Sequence, residues 1–251
     1  MTLENIDLVE RRKLTRSYPV LISAFPNSGK SASVEFLPEE EKKRTIVFDV
    51  ENKNFPEDDP SQYRSVYRLK PKDIDPKSKS YKNEGNIKYL PITDFISRIT
   101  MAIAHKDVDR VILDSFTAFV AELENHLVTV HNGFTVWTKY SVALNEFFAM
   151  IKEETNTHGK FVYILGHYRP AKDKKDTESE QFTQVKGTAH YRMVESNFNT
   201  VVSLEDFAFT ADNSDPFSST RIKRSLNPLH TENNDMGKLE EILTGTVKQE
   251  S

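Results

Sequence analysis

A chain of 251 residues, 37% hydrophobic and 29% charged, is long enough for one large α/β domain or one domain with extensions. It has no cysteine, which excludes disulfides, a thiolate zinc site and a cysteine nucleophile. Its formal net charge of −4 excludes a uniformly basic surface for nucleic acid, so any such contact must come from a local patch. No run approaches the ~18 apolar residues of a membrane helix and Met1-Thr-Leu-Glu-Asn-Ile-Asp7 has no signal-peptide pattern, so no membrane contact and a cytoplasmic location are expected.

Tyr18-Pro-Val-Leu-Ile-Ser23 is a short apolar run of the length of a buried parallel strand. It leads into Ala24-Phe-Pro-Asn-Ser-Gly-Lys-Ser31, which reads as a phosphate-binding P-loop, with helical turns expected over Lys30 to Phe36. Such a loop aims consecutive backbone N–H groups and a helix N-terminus at one point, which suits a triphosphate. The nucleotide-binding set is Ala24, Phe25, Pro26, Asn27, Ser28, Gly29, Lys30, Ser31 and Ala32. Lys30 would reach the β- and γ-phosphates, and the Ser31 hydroxyl would sit on Mg²⁺. Ala24 stands where the motif has its first glycine, adding a Cβ where a positive φ is often used.

Thr45-Ile-Val-Phe-Asp-Val-Glu-Asn52 reads as a second strand ending in two acids on one side, Asp49 and Glu51. Carboxylates at the carboxyl edge of a parallel sheet lie where open α/β folds bind ligands. Glu51 is therefore a candidate general base for a water attacking the γ-phosphate, while Asp49 reads better as a loop cap or a partner of Lys53. Residues 56–90, rich in Pro, Lys, Ser and Asp, read as an irregular excursion with a short strand at Ser65-Val-Tyr-Arg-Leu69. A helix follows, with Thr93 as N-cap and Ile92, Phe95, Ile96, Ile99 and Ile103 on one face.

Val108-Asp-Arg-Val-Ile-Leu-Asp-Ser115 is a third strand, whose apolar residues run directly into Asp114. After a P-loop, that pattern is a Walker B strand, and Asp114 would hold Mg²⁺ or steady Ser31. Trp137, Tyr140, Leu144, Phe147, Phe148 and Ile151 mark a long amphipathic helix whose stripe is core, and Gly159 ends it. Lys160-Phe-Val-Tyr-Ile-Leu-Gly-His-Tyr-Arg169 is a fourth buried strand. His167 just past its end would donate a hydrogen bond to a phosphate oxygen and report it to the next loop, although a lone histidine is more often structural.

Residues 169–190 read as a mobile loop of mixed charge. Lys172, Lys174, Lys175 and Lys186, with Phe182 and Tyr191 nearby, would engage a phosphate backbone and stack on bases; a plain solvated loop has the same composition. Asn199-Thr-Val-Val-Ser-Leu204 is a fifth strand, and Ser219-Thr-Arg-Ile-Lys-Arg-Ser225 a basic strand or hairpin arm. The remainder is polar, with a short helical stretch at Met236 to Leu243.

The P-loop, Asp49-Val-Glu51, Ile112-Leu-Asp-Ser115 and Leu165-Gly-His167 together resemble, in order and spacing, the core of RecA-like ATPases, particularly small phage-encoded members linked to single-strand annealing and recombination. The resemblance implies an α/β fold, a RecA-like P-loop NTPase core with a mostly parallel central sheet flanked by helices. It implies a domain over residues 18–228, an N-terminal extension over 1–17 and a polar C-terminal tail over 229–251. It further implies ATP and Mg²⁺ as cofactors, Glu51 as activator of the hydrolytic water, Asp114 as Walker B acid and His167 as sensor. Single-stranded DNA would lie on the loop at 169–190. Lys223 and Arg224 would act across a subunit boundary in a homo-oligomeric ring or filament, and a single-strand-binding protein would be a natural partner. A nucleic-acid translocase or helicase-loading ATPase on the same core, and a P-loop small-molecule kinase, remain alternatives.

Overall fold

Short runs of Val, Ile, Leu and Phe, each too brief for a helix of useful length, become the strands of one sheet. The computed structural model describes residues 19–52, 59–69, 85–168, 183, 185, 194–214 and 220–245. In chain order the strands are β1 (Val20–Ala24), β2 (Thr45–Asp49), β3 (Ser65–Leu69), β4 (Ile87–Leu90), β5 (Arg110–Asp114), β6 (Phe161–His167), β7 (Thr200–Glu205), β8 (Ala208–Ala211) and β9 (Leu229–His230). They lie in the order β4-β3-β2-β5-β6-β1-β7-β8-β9. Every pair from β4 to β7 is parallel, and β8 and β9 add antiparallel strands at one edge. All residues of β1, β2 and β5 are buried, as a parallel sheet covered on both faces requires.

Alternation along each strand divides the core into two layers. Leu21, Phe48, Leu113 and Ile164 face α2 (Ile92–Ala104), α3 (Phe116–Val130) and α4 (Thr135–His158). Ile22, Val47, Ile112 and Leu165 face the opposite way, toward Val34, Leu37 and the C-terminal helix α5 (Met236–Thr244). One short helix, α1 (Glu39–Lys42), precedes β2. The fold is thus α/β, with a mostly parallel nine-stranded sheet flanked by helices, as expected.

Several elements differ in detail from expectation. The stretch 56–90 supplies not one strand but two, β3 and β4, extending the parallel sheet. Helix α2 starts behind Pro91, whose ring offers no atom for a side-chain cap, and Thr93, already inside the helix, turns its Oγ1 to Asp94 Oδ1. Trp137, expected in the core stripe, is 44% exposed, while Tyr140, Leu144, Phe147, Phe148 and Ile151 are buried. In the basic segment, expected as a strand or hairpin arm, the described residues 220–225 make one antiparallel bridge, Arg221 to Val201, before a 3-10 turn at Arg224–Leu226. Gly159 ends α4 in the left-handed conformation, at φ 61°.

Arg110, at the start of β5, ties the C-terminal helix to the sheet. Its guanidinium is buried, with Glu240 Oε2 2.7 Å from Nε and Nη2 and Glu41 Oε2 2.6 Å from Nη2. Burial opposes its charge; Glu240 first, and Glu41 after it, outweigh burial and hold it charged. Among the described residues, no helix is long and apolar enough to cross a membrane.

Candidate functional site

The P-loop leaves the carboxyl edge of the sheet at the end of β1. Ala24 is still a strand residue, fully buried, so its Cβ meets no positive φ; the left-handed positions fall at Asn27, φ 64°, and Gly29, φ 88°. Asparagine tolerates that conformation, and glycine is indifferent to it. The helical turns expected after the loop shrink to one 3-10 turn, Ala32–Val34, with Ser33 N donating to Gly29 O at 3.0 Å. A phosphate in this loop would therefore meet the loop's own N–H groups rather than the dipole of a long helix.

Lys30 is only 4% exposed. Its ammonium donates to Phe25 O at 2.8 Å, Ala24 O at 3.2 Å and Ser28 Oγ at 3.4 Å, so the charge sits inside the loop. Ser31 Oγ donates to Asp114 Oδ2 at 2.5 Å, bringing the loop and the end of β5 together as expected. Asp114 is pushed up to about 6. Burial is the main cause and the charges of Glu51 and Asp49 add to it, against the Ser31 hydrogen bond and Lys30.

The two acids of β2 part company. Asp49 is buried and accepts from Arg68 Nε at 3.1 Å across the β2–β3 pair, a structural ion pair; Lys53, its expected partner, lies outside the described residues. Glu51, two residues on, turns to the other side of the edge. Ser115 Oγ donates to Glu51 Oε1 at 2.5 Å while accepting from Ala118 N at 3.2 Å as the N-cap of α3. His167 Nε2 stands 4.0 Å from the same Glu51 oxygen, and its backbone N–H donates to Thr117 Oγ1 at 3.0 Å. Ser115, quoted from the sequence only as the end of the Asp114 motif, and Thr117, with no sequence signal, thus hold the acid and the histidine.

The donor set suits a hard divalent cation shared with phosphate: a hydroxyl and buried carboxylate oxygens, with no sulfur or imidazole cage. Among the described residues, no group of three or more acids, histidines or cysteines holds a metal unaided. Ser31 and Asp114 would hold such a cation, with phosphate oxygens completing its shell.

The chain beyond His167 returns to this edge at Thr183. Its Oγ1 lies 2.6 Å from Ser23 Oγ, its N–H donates to the buried Glu195 at 2.6 Å, and it bridges Tyr168. Lys172, Lys174, Lys175 and Lys186 lie outside the described residues. Lys223 and Arg224 are exposed and far along the chain from the acids. Two further residues meet the P-loop from the C-terminal part. Asn234 Nδ2 donates to Gly29 O at 2.9 Å, and a Cβ on Gly29 would come 2.9 Å from that nitrogen and 3.0 Å from Phe207 Cδ1. The asparagine carries no sequence signal; Phe207, next to Asp206 between two strand-like runs, carries a weak one.

A scan against protein families and a search of curated proteins find no match for this chain. Among solved structures, a KaiC-like protein from the hyperthermophilic archaeon Pyrococcus horikoshii OT3 is similar over 74% of this chain and 70% of its own, at 12% identity and a TM-score of 0.42.

Proposed function

We propose that this chain is a RecA-like ATPase that hydrolyses ATP with Mg²⁺ and acts on single-stranded DNA in recombination or strand annealing. One observation carries the ATPase reading: Asp114 is bonded to Ser31 of the P-loop, and a second acid with its own partner, Glu51 bonded to Ser115, is close enough for its charge to act on Asp114. A bound Mg²⁺ would neutralise charge on the phosphate oxygens. Lys30 gives its ammonium to the β- and γ-phosphates, exchanging neutral carbonyl acceptors for charged ones. Glu51, oriented by the Ser115 hydroxyl, positions a water and takes its proton as the water attacks the γ-phosphorus. His167, 4.0 Å from that carboxylate, would donate to an oxygen of the same phosphate.

The DNA reading draws support from the chain between Tyr168 and Val194. It leaves β6 directly after His167 and is anchored by Thr183 on Ser23, the residue before Ala24. Its lysines, Lys172, Lys174, Lys175 and Lys186, supply the local positive charge that the acidic whole lacks. The test is phosphate release from ATP with and without single-stranded DNA, with Lys30→Ala as the blank. Hydrolysis that depends on Lys30 and rises with DNA is expected. Turnover unchanged in Lys30→Ala removes the ATPase reading, and DNA-indifferent turnover removes the DNA reading alone.

A further inference from the structure

Glu205 and Ala208 pair across the end of the β7–β8 hairpin, so Asp206 and Phe207 form a two-residue turn. Both are left-handed, with φ of 49° and 59°. Hairpin turns of this kind favour Asn-Gly or Asp-Gly, and a bulky residue at the second position is a marked outlier. Yet this chain puts a phenylalanine there, and leaves it 61% exposed. Neither backbone preference nor burial explains that choice, and strain of this sort gathers where a ligand is handled. One part of the ring rests on the P-loop at Gly29.

The sheet order says which part of a nucleotide would meet it. β1 lies between β6 and β7. Asp114, Glu51 and His167 all stand on the β6 side, on or just beyond β5, β2 and β6. That side takes the terminal phosphate, so the sugar and base of a nucleotide held in the loop run the other way, toward β7 and its hairpin. The exposed aromatic within the loop itself, Phe25, rests edge-on against Tyr168 at 5.4 Å, directly after β6, and so stands at the phosphate end.

We infer that Phe207, held at the tip of the β7–β8 hairpin against Gly29, is the stacking platform for the base of the bound nucleotide. This rests on the ATP reading above. A flat apolar ring fits an adenine face, and such stacking tolerates other bases. The test compares Mg·ATP with Mg·tripolyphosphate, which has the phosphates and no base, by calorimetry on the parent, Phe207→Gly and Phe207→Trp. Glycine suits the turn's backbone, so Phe207→Gly should melt no lower than the parent. It should bind ATP roughly 5- to 150-fold more weakly, the range that corresponds to losing one base–aromatic stack. Its tripolyphosphate affinity should be unchanged, and Phe207→Trp should keep ATP affinity. Equal loss of both ligands would make Phe207 a brace for the loop and overturn the platform, as would an undiminished ATP affinity. A parent that binds tripolyphosphate as tightly as ATP also overturns it while sparing the phosphate site. A parent that binds neither removes the nucleotide reading and this one with it.

Discussion

Glu51 and Asp114 are neighbouring carboxylates at one edge of the sheet, and their surroundings give them opposite work. Ser115 donates to Glu51 and leaves it half-buried, where it can meet water. Glu51→Gln keeps the shape and loses the proton acceptor. ATP binding is therefore expected to stay within a few-fold of the parent while turnover falls ~10²–10⁴-fold, the usual worth of a general base. Single-turnover hydrolysis measures this, and a fall under about threefold would make Glu51 structural. Asp114 is nearly enclosed, and burial together with the charges of Glu51 and Asp49 lifts it from 3.8 to about 6. The folded protein then binds that proton more tightly than the unfolded chain does, so from this group stability is full at low pH and drains away as pH climbs from about 4 through about 6. The loss amounts to about 3 kcal/mol. Urea unfolding of the ligand-free parent and of Asp114→Asn across this window should show their difference changing by that order. Parallel pH profiles would mean that the carboxyl is not shifted.

At the scale of elements, the C-terminal helix holds the sheet through one ion pair and the P-loop through the turn before it. Arg110 is 1% exposed at its side chain and relies chiefly on the enclosed Glu240, since Glu41 is about half exposed. Glu240→Ala would leave a buried guanidinium short of its main counter-charge, and is expected to destabilise the fold by about 3 kcal/mol. Denaturant unfolding measures that, and a loss below about 1 kcal/mol would mean that water reaches the arginine. Which elements the sequence disclosed follows from the same physics. β1, β2, β5 and β6 were legible because a strand covered on both faces is a continuous apolar run, and each ends in residues that face the site. β4 was not, because Ile87-Lys-Tyr-Leu90 is a half-buried edge strand with little pattern. α3 was hidden behind β5: its Phe116, Phe119, Val120 and Leu123 have helical spacing, but only Asp114 and Ser115 separate them from the strand's own apolar run. The Ser31–Asp114 contact could be anticipated from paired motifs. The support of Gly29 by Asn234 could not, since it joins residues 205 apart with no motif at the far end.

For the molecule as a whole, the open question is where Lys223 and Arg224 do their work. Arg221 pairs antiparallel with Val201 of β7, and β7 runs parallel to β1. The chain after Arg221 therefore moves toward the start of β7, away from the edge that carries the P-loop. Both cations are exposed, and within their own subunit they head away from Lys30. A solvated surface would account for either residue alone. In a ring or filament the pair would instead meet a neighbour's γ-phosphate, an effect worth ~10³–10⁵ in rate for such trans-acting groups. Mixing a Lys223→Ala, Arg224→Ala variant with a Lys30→Ala variant tests this. Each alone should hydrolyse ATP at a small fraction of the parent rate. Mixed assemblies should recover part of the activity, because an intact P-loop then faces intact cations across some of the boundaries. The recovery should depend on protein concentration, falling away where size-exclusion chromatography with ATP and DNA shows monomer. A double variant with full activity, or a mixture no more active than its parts while the proteins co-assemble, would return Lys223 and Arg224 to the surface of a site that each subunit completes by itself.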